Sequence, residues 1–363
     1  SLTTTGGTDI GAQGDLLKVD VTSELNADTS DSDGSIYIEE VGALPLGLVT
    51  AGGGDVTLEA GGAIVDTGGN NTDVDVQGDT VSLNANGDIG AANTDIELNQ
   101  ALDVIANKLN ADTSANGDDI YIESTDNLPV GEINSGGGNI TLISDGAVTD
   151  ADDDTDVDVT GELLTVDAAG GIALDTALAT LDASTSDTGN IVIDESDAIT
   201  LTNVNTNNGL ITVDAGGKIA ATNVDSSAGT GAVTLRTDNN SDGDIELGIV
   251  NAGDQSVTLD SDGAITDVLE VSTRTTTVTV VDNNDESTST VTTTVVAKDE
   301  SGNVITDESY EDITSVGNAD VPSPSEVTET FYNIMAGTAS LTAVDGIGGS
   351  GTDEDIDTAV NTF

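Results

Sequence analysis

Short apolar beats alternate with polar residues along most of the chain. Ile191 and Ile193 are followed by Ile199, Leu201 and Val204, and twenty residues later Ile211 and Val213 are followed by Ile219 and Val224. Each beat reads apolar, polar, apolar, as in Val56-Thr57-Leu58, Val81-Ser82-Leu83, Val233-Thr234-Leu235 and Val257-Thr258-Leu259. Alternation with period two puts Val, Ile and Leu on one face of a strand and Thr, Ser or Glu on the other. Gly, Asn and Asp fill the gaps; they tolerate positive φ and bond side chain to backbone at turns. Helical periodicity is absent over residues 1–270. β-Branched beats at a fixed spacing near 20 residues predict a solenoid coil. The expected fold is all-β, a three-sided parallel β-helix (β-solenoid) of about 20–24 residues per coil. Apolar residues would stack in an interior column, with neighbouring coils roughly 4.8 Å apart.

A longer period sits above the short one. Leu25-Asn-Ala-Asp28 returns as Leu109-Asn-Ala-Asp112, Ile36-Tyr-Ile-Glu39 as Ile120-Tyr-Ile-Glu123, and Leu44-Pro45 as Leu128-Pro129, all offset by 84 residues. That offset reads as about four coils of 21 residues, and a third, shorter copy starts at Leu181. Asn203 and Asn223 fall at equivalent corners, as do Asn205 and Asp225, so stacked coils are placed to align their amides.

The pattern changes after Ile265. Thr/Val runs at 275–281 and 290–296, joined by acidic turns, predict an antiparallel β meander inserted into the solenoid. Ser323-Pro324-Ser325-Glu326 then matches a capping box, and Val327, Phe331, Ile334 and Met335 fall on one face of a short helix over 323–336 that Gly337 would end. From 338 to 363 the solenoid motif resumes, since 340–348 resembles 82–90 and 357–363 resembles 175–181. The expected division is therefore a β-helix over 1–270, the insertion over 271–337 and a final coil over 338–363.

Charge narrows the partners. Lys and Arg number 6 against 68 Asp plus Glu, a net charge of −62, a field that repels nucleic acid and anionic membranes and attracts cations. No run is apolar enough to span a membrane, so no membrane insertion is expected. No Cys is present, which excludes disulfides, and no His, which with Cys excludes the usual nucleophilic triads and the best transition-metal ligands. The chain starts at Ser1 without Met, which reads as processing or as an excerpt of a longer chain.

Calcium is the candidate cation. Asp238, Asn240 and Asp242 fit the start of a D-x-N-x-D-G loop, although its twelfth position is Ile249. Asp31 and Asp33 are followed by Glu40 at the twelfth place, but the first position is Thr29. The stretch 151–158 is denser still in acids. Each of the three also reads as an acidic corner of a solenoid. Candidate contact residues for other copies of the chain are Val327, Phe331, Tyr332, Met335 and Phe363, with Tyr37 and Tyr121 as equivalent outward positions.

Gly138-Asn-Ile-Thr-Leu142, Gly209-Leu-Ile-Thr-Val213 and Ala215-Gly-Gly-Lys-Ile219 resemble the repeats of filamentous-haemagglutinin-like giant secreted bacterial proteins. The resemblance covers 1–270 and 338–363 and implies an exported adhesin or fibre-forming stalk; the acidic excess and the insertion depart from the simplest pattern. It supplies no catalytic residues to carry over. The reading is a non-enzymatic extracellular or cell-surface building block that stacks end to end and laterally with copies of itself. A calcium-dependent surface-layer module that adheres to carbohydrate or a host surface is the first alternative, and a polysaccharide-cleaving β-helix enzyme the second.

Overall fold

The computed structural model describes residues 1–4, 7–31, 33–67, 73–91, 101–238, 243–267 and 333–344, residues 346–347, 356 and 358–362, and strand backbone within 269–309. Its body is a parallel β-solenoid of about 12 turns, built as one 28-stranded sheet. The strands fall into two stacks that the chain visits alternately. One stack runs through Leu25–Asp28, Leu44–Thr50, Ile64–Asp66, Leu102–Ile105, Ile120–Ser124, Asn139–Ser144, Ile199–Thr206 and Ile219–Asp225. The other runs through Ile36–Glu40, Val56–Ala60, Thr80–Ala85, Lys108–Asp112, Leu128–Asn134, Ile191–Glu195 and Ile211–Ala215.

The alternating beats produce the interior. Leu44, Ile64, Ile89, Ile120, Ile140, Leu164, Leu181, Leu201, Ala221 and Leu247 lie in register through successive coils, and all are buried. Leu128, Val148, Ile172, Ile191, Ile211, Val233 and Val257 form the matching column of the second stack. The third expected side is not a separate strand. Within Ile199–Thr206 the in–out alternation slips once, leaving Thr202 and Asn203 both outside, and the slip returns at Thr222 and Asn223. Two apolar beats thus share one strand whose facing is reset at a corner.

Counting strands rather than residues changes the long repeat. Leu25–Asp28 and its copy Lys108–Asp112 belong to opposite stacks, as do Ile36–Glu40 and Ile120–Ser124. Between the copies the chain passes through three and a half coils, not four, because the segments 67–75 and 91–101 lengthen two of them. Tyr37 and Tyr121 accordingly lie on opposite stacks. Tyr37 is covered, its N–H bonded to the Ile10 carbonyl at 2.7 Å, and the Tyr121 hydroxyl donates to Asp119 at 2.9 Å.

Corners depend on side chains that reach one coil along. The Asn223 amide donates to Asn203 Oδ1 at 3.0 Å, so the expected amide ladder is formed. Carboxylate and amide oxygens of Asp9, Asp55, Asp88, Asp119, Asn127, Asn190 and Asp244 each accept a backbone N–H from the following coil, at 2.7–3.2 Å. At Gly189, Gly209 and Gly231 successive turns pass so close that a Cβ would collide with the carbonyl of the turn before.

The irregular segment is antiparallel where it is described: Thr294–Asp299 pairs with Val304–Ser309, and Val280–Val281 with Thr288–Ser289. The expected helix is not continued to its end. Ile334, Met335 and Gly337 lie in a strand, Ile334–Ala343, that pairs with Val250 and with Ser256–Ser261. Backbone pairing to an open solenoid edge outweighs the i, i+4 spacing of a few apolar residues. The solenoid therefore resumes by Ile334. Asn333, just before it, is buried and donates to the Leu247 and Gly248 carbonyls and to Asp267 Oδ1, the last at 2.7 Å. Among the described residues there is no helix.

Substituting Gly209→Ala should destabilise the fold by roughly 1–3 kcal/mol through overpacking against the Gly189 carbonyl. Val192→Ala on the outer face should stay within about 0.5 kcal/mol. Equal urea midpoints for the two variants would refute the close-approach account.

Candidate functional site

The acidic residues divide into three structural roles. Some serve as the corner acceptors described above, Asp9, Asp55, Asp88, Asp119 and Asp244 among them. Others form outward ladders, such as Asp175, Asp194 and Asp214 in successive coils, with Arg236 next in line and 3.9 Å from Asp214. The four basic side chains described, Lys18, Lys108, Lys218 and Arg236, each lie beside an acid: Glu39, Asp152, Glu246 and Asp214. The third role is the densest, two clusters of three aspartates at corners that have been opened into loops.

The first cluster is Asp150, Asp158 and Asp175. The strand Val148–Asp150 ends at the corner, the loop 151–157 bulges out, and Asp158 returns the chain to the stack at Val159. Asp175 sits on the next coil directly over the loop mouth, and its N–H donates to Asp158 Oδ2 at 2.8 Å. One carboxylate oxygen from each residue lies within 4.8 Å of the other two. The loop wraps on Asp150, whose two oxygens accept the N–H groups of Asp152 and Asp154 at 2.7 and 2.9 Å. A cavity of about 310 Å³ opens beside Asp158, walled by Lys108, Glu132, Asp152, Asp154 and Asp156.

The second cluster repeats this plan on the opposite stack. Ile64–Asp66 ends at a corner, and Asp75 returns the chain to Val76. Asp103 on the next coil donates its N–H to Asp75 Oδ2 at 3.0 Å. Asp66 and Asp75 are hydrogen-bonded through their carboxyl groups. Asp75, Asp103 and Asp158 are each only 4% exposed although they project outward from the core, since the residues beside them (Val76, Leu102 and Val104, Val159) point in.

Crowding carboxylates away from water favours their neutral forms. Burial, reinforced by Asp66 and Asp103, pushes Asp75 up to about 8. Burial also raises Asp103 and Asp158 to about 7, with Glu123 and Asp66 adding to the first and Asp150 and Asp175 to the second. Asp175 is shifted upward by burial and by Asp194 and Asp150.

The other candidate residues are scattered. Asp31 is exposed and Asp33, with φ 51°, accepts the Gly53 N–H at 2.9 Å. Glu40 lies at the far end of the strand Ile36–Glu40, where it is buried and accepts the Val21 and Gly42 N–H groups at 2.7 and 3.1 Å. An extended strand advances about 3.3 Å per residue, so Glu40 is carried away from Asp31 and Asp33 and the three do not close one loop. Asp238 is exposed, while Asn240 and Asp242 lie outside the described residues, as do Val327, Phe331, Tyr332 and Phe363. Met335 is half-buried in the resumed strand. Sequence reading reached the stretch 151–158, and with it Asp158, but missed Asp66, Asp75, Asp103, Asp150 and Asp175. Its available signal was an acid just before the inward Val after an overlong gap between beats, at both Asp75 and Asp158.

Comparison with known proteins returned no matching family model, no matching curated protein and no matching solved structure.

Glu195 is a buried acid of a different kind. It points inward, 1% exposed, and accepts from Thr176 Oγ1 at 2.8 Å, from Leu178 N–H at 3.0 Å and from Asp197 N–H at 3.2 Å. Burial outweighs these donors and lifts it from 4.5 to about 7, with Asp197 adding to the rise. An acid raised in the fold holds more protons there than in the unfolded chain between those two values. Its contribution is therefore complete at low pH and is lost as pH rises through about 7. Between pH 5 and 8 wild type should lose stability relative to Glu195→Gln by up to the order of 3 kcal/mol. Denaturant titrations of both proteins at several pH values check this; parallel curves would contradict it.

Proposed function

We propose that this chain is a structural, non-catalytic β-solenoid unit of an extracellular filament, matrix fibre or adhesin stalk, of the filamentous-haemagglutinin-like type, that stacks end to end with further copies. The observation that carries the proposal is that recurrent blocks are built into one continuous parallel stack. The segments 25–60 and 109–144 are near copies, and both fit the same solenoid from opposite stacks. A coil edge that pairs in parallel register with coils of differing sequence above and below it has the hydrogen-bond pattern needed to accept one from another molecule. The high negative charge favours salt- or cation-containing surroundings, where self-repulsion is screened.

Light scattering across a concentration series in calcium-containing saline should show growth beyond the monomer. Electron micrographs should show rods, and aligned samples a meridional reflection near 4.8 Å. A species that remains monomeric at every concentration would sink the assembly.

A further inference from the structure

We propose that the corner Asn86–Gly87 is a self-modification site, where the Asn86 side chain deamidates through a cyclic imide and leaves an aspartyl or isoaspartyl link in the main chain. The sequence holds the pairs Asn86–Gly87, Asn116–Gly117 and Asn208–Gly209. Glycine has no Cβ to shield its N–H, so its nitrogen can reach the carbonyl of the preceding Asn side chain, a thermolabile group. The fold treats the three pairs differently.

Two of them are held. The Gly117 N–H is spent on the Thr113 carbonyl at 3.1 Å, and the Asn116 side-chain amide donates to the Asn86 carbonyl at 2.8 Å. Asn208 Oδ1 accepts the N–H and the hydroxyl of Thr230 at 3.2 and 3.3 Å, which ties that side chain to the next coil. Asn86 is exposed, and among the described residues neither its side chain nor the Gly87 N–H has a hydrogen-bond partner. Equivalent corners bond the second amide after the strand one coil back. Gly62 donates to the Gly42 carbonyl at 2.9 Å, Gly170 to Gly146 at 2.7 Å and Gly217 to Asp197 at 2.8 Å.

The contact from Asn116 bears on the reacting group itself. The Asn86 carbonyl and the Gly87 N–H belong to one peptide unit. When that nitrogen gives its proton to hydroxide, negative charge moves onto the carbonyl oxygen that Asn116 Nδ2 already faces at 2.8 Å. A donor placed where charge develops lowers the barrier. The Gly87 nitrogen then bonds Asn86 Cγ, the Cγ–Nδ2 bond breaks, and ammonia leaves with a proton from water. Water reopens the imide, at Cγ to give aspartate or at the main-chain carbonyl, which Asn116 polarises, to give isoaspartate. Either product adds a carboxylate. The isoaspartyl link also lengthens the main chain by one carbon between Ala85 and Ile89, two buried core residues.

Folded protein aged in mildly alkaline buffer and mapped by peptide mass spectrometry should deamidate at Asn86 at least about tenfold faster than at Asn116 or Asn208, the factor one hydrogen bond to a charged group supports. The chain unfolded in urea should modify all three at similar rates. Asn116→Ala should slow the reaction at Asn86 several-fold and lower the isoaspartate share of its products. Equal rates at the three sites of the folded chain, or Asn116 or Asn208 in the lead, overturn the proposal. A rate and product ratio at Asn86 that ignore Asn116→Ala overturn the part given to that donor. Should the variant lose its far-UV circular dichroism, the unsubstituted chain decides: Asn86 reacting faster folded than unfolded supports the donor, and slower refutes it.

Discussion

A parallel coil can hydrogen-bond only along the stack axis, so every N–H of one coil needs an acceptor on the next. Within the straight runs the backbone supplies it. At corners the carbonyls turn away, and the requirement falls on side chains short enough to reach across a single rung. Asp, Asn and Ser meet it, as Asp55 does for Thr80, Asp119 for Asn139 and Asn190 for Leu210. Part of the acidity of this chain is thus architectural, because an Asp chosen as a corner acceptor adds a negative charge with each use.

The same constraint explains what was legible beforehand. Apolar residues at alternate positions have one stable arrangement, and Val56, Leu58, Ile191, Ile193, Ile211 and Val213 all occupy the interior as their spacing requires. The phase slip at Thr202 and Asn203 shows in the sequence only as an extra polar residue, which by itself reads as a boundary between separate strands. The count of coils between repeats was hidden because residues do not count corners. Two opened corners lengthened the path without adding a rung. Ile334 and Met335 were misplaced because four apolar residues satisfy a helical spacing by themselves, whereas the strand they join is specified by Val250 and Ser256–Ser261, far earlier in the chain.

The acid triads were the least legible. Asp66 and Asp75, or Asp150 and Asp158, are neighbours in sequence, but the third member arrives from the next coil at an interval set by loop length. Nothing in a linear pattern marks Asp103 or Asp175 as their companions. The half-coil displacement places equivalent features on opposite stacks, so a block duplicated along this solenoid displays each of its surface elements alternately to either side.

The bond between Asp267 and Asn333 has a mechanical meaning. The chain leaves the stack after Asp267 and is back beside it at Asn333, with Ile334 paired directly onto Val250. Tension applied along the axis would pass from Val250 to Ile334 through the rungs, so the number of residues between Asp267 and Asn333 does not set the length of that path.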